Sequence, residues 1–166
     1  MRRAAVAGAM ALVLALTGCS ADPAYVEAPP TAPQAPAFEL KLLDGSTLDL
    51  AEQWKARPVV LVFFESWCEL CAQRQPDITA LADQYRDTVL FVGIGRASSS
   101  EDAMKFRRDN DIDYPVGLDA GGDVWRRYRV DEPPLVALIS KGGRLVRGWP
   151  GGTTELGKQI QQFLVA

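Results

Sequence analysis

Two cysteines whose spacing suits thiol chemistry, Cys68 and Cys71, follow a run of apolar residues at 59–64. The chain has 166 residues, three cysteines and no histidine. A disulfide between residues this close in sequence stabilises a fold weakly, because the entropic stabilisation grows with the length of the closed loop. The spacing therefore predicts a disulfide that is made and broken as the protein works.

The residues around the pair predict where it sits. The preceding apolar run is typical of a buried strand, and helical periodicity follows Cys68 as far as about residue 85. A cysteine at a helix N-terminus faces unpaired N–H groups and the positive end of the helix dipole, which favour a thiolate. We therefore expect Cys68 to be the nucleophile and Cys71 to resolve the mixed disulfide. Trp67 would cover one flank of the pair. An apolar plug at the strand end is the other interpretation of this residue, and the two are compatible.

The composition excludes most other chemistry for this pair. A zinc site needs about four N, S or O ligands, which two cysteines without histidine do not supply, so we expect no metal and no cofactor. A covalent haem site needs histidine after the second cysteine, where this chain has Ala72. Hydrolysis by a Ser–His or Cys–His pair is excluded. A peroxidase stays open, although Glu65 and Ser66 stand where a peroxidatic cysteine is usually preceded by proline and threonine.

The N-terminus resembles the signal of a bacterial lipoprotein. Two arginines precede an apolar run at 4–16 that is too short for a comfortable membrane span. The run ends in Leu-Thr-Gly-Cys, which resembles a lipobox and implies cleavage before Cys19 and a lipid on its sulfur. An ordinary signal peptide with an incidental cysteine is the alternative. We expect a signal peptide at 1–18, a lipidated Cys19 with a proline-rich tether at 19–36, and one domain at 37–166.

The proline content limits how far the domain could lie from a bilayer, and the net charge limits the class of its partners. The segment at 21–36 holds five prolines, and a proline-rich tether of this length could hold the domain up to about 50 Å from a bilayer. Loss of the signal lowers Lys plus Arg from 18 to 16 against 21 Asp plus Glu. This negative balance argues against nucleic acid as a partner. Export would place the thiols where disulfides persist.

The remaining pattern predicts an α/β sandwich around a mixed sheet. A β-hairpin at 38–50 opens the domain, and strands at 59–64 and 88–94 are expected to be buried on both faces. The other predicted elements are helices at 51–55, 68–85, 98–110, 122–128 and 153–165, and strands at 114–118, 135–140 and 144–149.

Several of these motifs resemble one family. Trp-Cys-Glu-Leu-Cys at 67–71 after a buried strand, Pro76, and Pro133-Pro134 before a β-run are similar to thioredoxin-fold proteins. The leading hairpin and the lipoprotein signal resemble the exported TlpA/ResA-like branch. The resemblance covers about residues 38–165. It implies a thioredoxin-like fold with an N-terminal hairpin, and a membrane-tethered thiol–disulfide oxidoreductase.

The resemblance also implies a role for the late prolines. Pro134 matches the position that is cis in thioredoxin folds, where the loop faces the cysteine pair and binds the substrate chain. The alternative is a proline that only begins a strand. Pro133 departs from the family pattern, because a proline has no N–H to donate to a substrate.

The residues available for proton transfer also depart from the family pattern. The family's buried acid, six residues before the first cysteine, is replaced by Val62. Proton handling must then differ or rely on water, and Glu65 at the strand end is a candidate acceptor. Glu69 is the other nearby acid, and its charge would oppose a thiolate at Cys68 if the two groups are close.

The sequence therefore predicts a lipid-anchored, extracytoplasmic thiol–disulfide oxidoreductase that acts on exported proteins. Its expected partners are exported thiols or disulfides, a membrane thiol–disulfide carrier, and the membrane itself through Cys19. The charge of Glu69 favours a reductant over an oxidant. Two other classes stay open: a non-catalytic module that binds an exported partner, and a peroxide-reducing enzyme.

Overall fold

The computed structural model describes residues 23–96, 99–151 and 154–166. The predicted signal peptide at 1–18 and Cys19 lie outside the described residues. The elements in chain order are β1 (Glu39–Lys41), β2 (Thr47–Asp49), α1 (Leu50–Ala56), β3 (Val59–Glu65), α2 (Glu69–Gln84), β4 (Leu90–Arg96), α3 (Ser100–Asp109), β5 (Val116–Leu118), α4 (Asp123–Arg127), β6 (Leu135–Ile139), β7 (Leu145–Pro150) and α5 (Leu156–Phe163).

The central strand β3 organises a five-stranded mixed sheet with the order β5-β4-β3-β6-β7. β3 runs parallel to β4 and antiparallel to β6. Its first six side chains are all buried, because alternate residues enter two apolar cores on opposite faces of the sheet. One core holds Val60, Val62 and Phe64 with side chains of α2, α3 and α5, and the other holds Val59, Leu61 and Phe63 with side chains of α1, α4 and β1.

The N-terminal hairpin β1–β2 lies beside the open edge of this sheet. It forms a separate two-stranded sheet, and an isolated bridge joins Leu42 to Gly117 in the edge strand β5. A side chain at Gly117 would meet Leu40 at 2.4 Å, so a glycine is required for the hairpin to approach this closely. The hairpin thereby covers an edge that would otherwise be exposed.

The segment at 24–36, which we call the strap, lies along the domain and is not a free tether. The Val26 N–H donates to the Leu164 carbonyl at 3.2 Å, and the Ala35 N–H donates to the Gly143 carbonyl at 2.8 Å. Ala35 is only 3% exposed. This corrects the prediction of a tether for residues 24–36: prolines remove donors from the strap but leave its carbonyls and remaining N–H groups able to pair with the domain.

The helix that carries the cysteines begins immediately after the turn that ends β3. α2 runs from Glu69 to Gln84 and continues through Pro76 without ending there. Glu69 provides an acidic residue in its first turn, where the helix dipole favours negative charge. Across the residues that the structure describes, no helix is both long enough and apolar enough to cross a membrane.

Candidate active site

Both cysteines lie where β3 gives way to α2. Cys68 is the N-cap residue of α2, and Cys71 lies in its first turn. The two are bonded, with an S–S distance of 2.09 Å and a Cα–Cα distance of 5.2 Å. Cys68 is 8% exposed and Cys71 only 2% exposed. An incoming sulfur therefore reaches Cys68 more readily than Cys71.

Backbone hydrogen bonds fix the turn that carries Cys68. The Cys68 N–H donates to the Glu65 carbonyl at 3.0 Å, and the Ser66 N–H donates to the Arg96 carbonyl at the end of β4 at 3.3 Å. The Ala72 N–H donates to the Cys68 carbonyl at 3.2 Å. The carboxyl ends of two parallel strands and the first turn of α2 thus hold the reactive sulfur in one place.

The helix start supplies a donor directly to the outer sulfur. The Cys71 N–H donates to Cys68 Sγ at 3.0 Å, which is the contact that an N-cap side chain makes with the first turn of a helix. When the disulfide opens, this N–H and the helix dipole remain aimed at Cys68 and favour its charged form. This arrangement agrees with the placement of Cys68 that the sequence predicts.

The predicted proline loop lies beside the pair. The Pro133–Pro134 peptide bond is cis, and the Pro133 carbonyl oxygen lies 3.9 Å from Cys68 Sγ. The Gly151 N–H donates to the Pro134 carbonyl at 2.6 Å, which ties the loop to the end of β7. The loop therefore offers an incoming chain a carbonyl acceptor at Pro133 but no N–H donor at Pro133 or Pro134.

Two large apolar side chains stand exposed at the disulfide. Trp67 is 73% exposed and Leu70 is 42% exposed. Trp67 is therefore not a plug in the core, which removes one of the two interpretations of this residue. An exposed apolar side chain next to a reactive sulfur is suited to contact a protein partner.

Neither Glu65 nor Glu69 forms a hydrogen bond with the sulfur of Cys68 or Cys71. The Glu65 side chain is half-buried at the end of β3, and the exposed Glu69 carboxylate accepts from Gln73 Nε2 at 3.2 Å. Val62 is buried in the same apolar core as Cys71. Burial among apolar groups disfavours a charged sulfur at Cys71, so the inner cysteine needs a proton acceptor from outside this core.

A buried polar contact on α2 was missed by the sequence analysis. Gln75 is 1% exposed and lies one turn after Cys71. Its Nε2 donates to the Tyr114 hydroxyl at 2.7 Å and to Thr79 Oγ1 at 3.2 Å. Burial raises the pKa of Tyr114 well above its ordinary value. The spacing from Cys71 is the only sequence signal for Gln75, since it marks the same face of the helix.

An open groove of about 610 Å³ borders the disulfide. We call it the active-site groove. One wall comes from the turn and start of α2, and the opposite wall comes from α3. Its lining includes Trp67, Cys68 and Glu69 from the first segment and Asp102, Lys105 and Asp109 from α3.

Among residues 23–96, 99–151 and 154–166, no group of three or more His, Cys, Asp or Glu side chains is arranged to hold a metal ion.

Comparisons with known proteins agree with this geometry. The model of the AhpC/TSA family matches residues 31–148. The thiol-disulfide oxidoreductase ResA of Bacillus subtilis is 30% identical over 125 residues, which are 73% of this chain and 68% of that protein. ResA of Bacillus thuringiensis is 28% identical over 132 residues, which are 79% of this chain and 75% of that protein.

A solved structure resembles the fold. It is that of a secreted Mycobacterium tuberculosis disulfide oxidoreductase homologous to E. coli DsbE, with a TM-score of 0.67 and 23% identity, covering 76% of this chain and 96% of that one. The predicted thioredoxin-like fold with an N-terminal hairpin is confirmed, as is the predicted enzyme class. From the matched family, the relatives and the cysteine pair, we conclude that the chain belongs to the AhpC/TSA family and is a thiol–disulfide oxidoreductase.

Proposed function

We propose that this protein is held at the extracytoplasmic face of a bacterial membrane by a lipid on Cys19, where it reduces disulfides in exported proteins. The observation that carries the redox part is the unequal exposure of the pair, since Cys68 is 8% exposed and lines the active-site groove, whereas Cys71 is 2% exposed and is absent from that lining. The anchoring part is supported by the apolar run and lipobox-like sequence at 1–19.

The unequal exposure of the two cysteines sets the order of the steps in disulfide exchange. In the reduced protein the Cys68 thiolate attacks a substrate disulfide, a bond forms between Cys68 Sγ and one substrate sulfur, and the other substrate sulfur leaves and takes a proton. The Cys71 thiolate then attacks Cys68 Sγ and releases the second substrate thiol. Two electrons pass to the substrate, and the Cys68–Cys71 disulfide is left behind.

Three neighbours position the substrate in this proposal. The exposed Trp67 ring contacts the substrate chain, and the cis Pro133–Pro134 loop offers the Pro133 carbonyl to a substrate N–H beside the attacked sulfur. Glu65 is proposed to accept the Cys71 proton, through water, because the strand position below the pair holds Val62 in place of an acid.

The oxidised pair needs two electrons before it can act again. We propose that a membrane thiol–disulfide carrier supplies them by the same exchange in reverse, which requires no cofactor in this chain. The preference for a reductant is supported by Glu69, because a carboxylate in the first turn opposes the Cys68 thiolate and so favours the disulfide form.

The deciding experiment is the equilibrium reduction potential of the pair, titrated against defined thiol–disulfide buffers. The protein should begin at residue 20, so that Cys19 is absent and the strap is kept. A value at or below about −250 mV supports a reductant, and a value above about −180 mV indicates an oxidant or isomerase. Absence of any reversible couple would contradict the proposed chemistry.

Anchoring and peroxide chemistry are tested separately. Mass spectrometry of the membrane-extracted protein should show cleavage before Cys19 and an acylated cysteine, and a Cys19→Ala variant should leave the membrane fraction. Rapid peroxide consumption, with a sulfenic acid on Cys68, would favour a peroxidase over the proposed exchange.

A further inference from the structure

The active-site groove holds charge in addition to the reactive sulfur. Its lining includes three acidic residues, Glu69, Asp102 and Asp109, and one basic residue, Lys105. Lys105 Nζ already forms an ion pair with Asp109 on the same helix. The negative charge of Glu69 and Asp102 therefore dominates the groove.

The acid on the far wall is held in place. The Ser99 hydroxyl donates to Asp102 Oδ2 at 2.8 Å, and the Asp102 N–H donates back to Ser99 Oγ at 3.1 Å. These two contacts form the N-cap of α3. The Asp102 side chain is thereby held on α3, and Asp102 lines the same groove as Cys68 and Glu69.

The groove also has an apolar part. The exposed Trp67 ring, Ala72 and Phe106 line it together with the acids. Lysine and arginine combine a long apolar stem with a charged end, and they bind well where an apolar wall leads to a carboxylate. Glutamate and aspartate would meet repulsion from the same wall.

We propose that the active-site groove receives a lysine or arginine side chain of the protein substrate, held by Glu69 and Asp102, so that the enzyme prefers cysteines with a basic residue nearby. This rests on the proposed function, because it names the class of protein substrate for the same disulfide. Complementary charge at such a surface raises the association rate and selects against like-charged partners.

The test uses the reduced full-length protein in non-ionic detergent and synthetic peptides. Each peptide carries one cysteine as a mixed disulfide with thionitrobenzoate, and differs only by Lys, Gln or Glu at one position, scanned over three positions on each side. Cys68 forms a disulfide with the peptide sulfur and displaces coloured thionitrobenzoate, and Cys71 then releases the peptide thiol. The rate of colour release gives the second-order rate constant for each peptide.

At the best position the lysine peptide should react about tenfold faster than the glutamate peptide at low ionic strength, with glutamine between them. This ratio corresponds to ~1.4 kcal/mol. It should shrink as salt is added, because the groove is open and charges at its surface are screened. Equal rates for lysine and glutamate peptides at every position would overturn the proposal.

Asp102→Asn isolates the charge on the far wall. Asparagine keeps an oxygen that can accept from the Ser99 hydroxyl, so the cap of α3 is retained. The Lys-to-Glu rate ratio should fall about threefold. The matched control is Glu101→Gln, which removes the same charge from the same turn of α3 but at an exposed residue outside the groove lining, and its ratio should stay at the wild-type value. If the Lys-to-Glu rate ratio fell equally in both variants, the effect would come from net charge, and the proposal for the groove would be overturned.

A neutral substrate separates this inference from the proposed function. Hydroxyethyl disulfide should react at the same rate with the wild type and the control Glu101→Gln, and their reduction potentials should agree. If neither this disulfide nor any peptide reacts, the proposed exchange itself fails. If both react but the peptide series shows no charge preference, only the groove inference fails.

Discussion

The two ends of β3 are built in opposite ways. At the end where β3 finishes, the disulfide end, Trp67 and Leu70 stand exposed beside Cys68, which lines the active-site groove. At the end where β3 begins, the strap end, the turn after β6 is covered by the strap, whose Ala35 N–H bonds to the Gly143 carbonyl. The disulfide end exposes apolar side chains, whereas the strap end is covered by the backbone of the strap.

This difference shows how a small domain separates exchange from stability. The disulfide end leaves apolar side chains exposed, which is a cost in water and is typical of surfaces that bind a partner. The strap end collects hydrogen bonds from segments far apart in the chain, such as Leu145 N–H to the Pro33 carbonyl and Ala166 N–H to the Ala24 carbonyl. Substitutions at the disulfide end should therefore change disulfide exchange, and substitutions at the strap end should change the free energy of unfolding.

The largest effect should come from the cysteines themselves. Cys68→Ser should lower disulfide exchange at least about a thousandfold, because the attacking sulfur is removed. Cys71→Ser should still attack but should accumulate a mixed disulfide with substrate, visible by non-reducing electrophoresis. Cys19→Ala is the control and should keep full exchange activity in solution. Trapping by Cys68→Ser in place of Cys71→Ser would reverse the assigned roles.

Removal of the strap should affect stability and leave chemistry unchanged. A chain that begins at Ala37 loses the hydrogen bonds of residues 24–36 to the turn after β6 and to the C-terminus. We expect the free energy of unfolding to fall by about 3 kcal/mol, measured by urea denaturation against a chain that begins at residue 20. The reduction potential should be the same in both chains. Equal stability would contradict the role given to the strap.

The buried contact between α2 and Tyr114 should give a smaller loss with a distinct pH dependence. Tyr114→Phe leaves Gln75 Nε2 without this acceptor, so the free energy of unfolding should fall by about 1–2 kcal/mol. Burial raises the pKa of Tyr114 above its ordinary value of 10.0. The neutral phenol therefore makes its full contribution to the free energy of unfolding below about pH 10, and this contribution is lost as the pH rises further.

The pH dependence supplies the check on that variant. Denaturation midpoints of the wild type should fall steeply above about pH 10, and those of Tyr114→Phe less steeply. Burial also raises the pKa of Tyr128, so part of the slope should remain. Tyr25→Phe is the control at the strap end, where Lys141 Nζ lies over the Tyr25 ring, 5.0 Å from its centre. An unchanged slope in Tyr114→Phe would show that this phenol does not govern alkaline unfolding.

The smallest expected effect concerns the charge next to the outer sulfur. Glu69→Gln removes a negative charge from the first turn of α2, which stabilises the Cys68 thiolate and so the reduced form. The reduction potential should rise by about 10 mV, since surface charges act by a few tenths of a kcal/mol and 30 mV corresponds to about 1.4 kcal/mol. Glu27→Gln on the strap should leave the potential unchanged. An unchanged or lower potential in Glu69→Gln would contradict the argument that Glu69 favours a reductant.

Periodic and strongly patterned features could be predicted from the sequence. The apolar run at 59–64 identified the central strand because both faces of that strand are buried, and the cysteine spacing identified the helix start. The proline loop came from the family resemblance, and the structure places its Pro133 carbonyl 3.9 Å from Cys68 Sγ.

The features that were missed depend on contacts without a local pattern. The strap pairs with irregular turns, so its residues show no period of two or of 3.6, and its prolines resemble those of a free linker. The contact from Gln75 to Tyr114 joins residues 39 positions apart, and a glutamine in a helix is usually exposed. The active-site groove is formed by two elements whose relative position follows from the sheet order.

The strap also sets the geometry of any attachment at the N-terminus. It meets the domain beside Val165 and the turn after β6, which lie at the other end of β3 from the disulfide, about 20 Å away for a strand of this length. A lipid on Cys19 would leave five residue steps to Ala24, at most about 18 Å of chain. The domain would then sit close to the bilayer and be attached at the end opposite its disulfide.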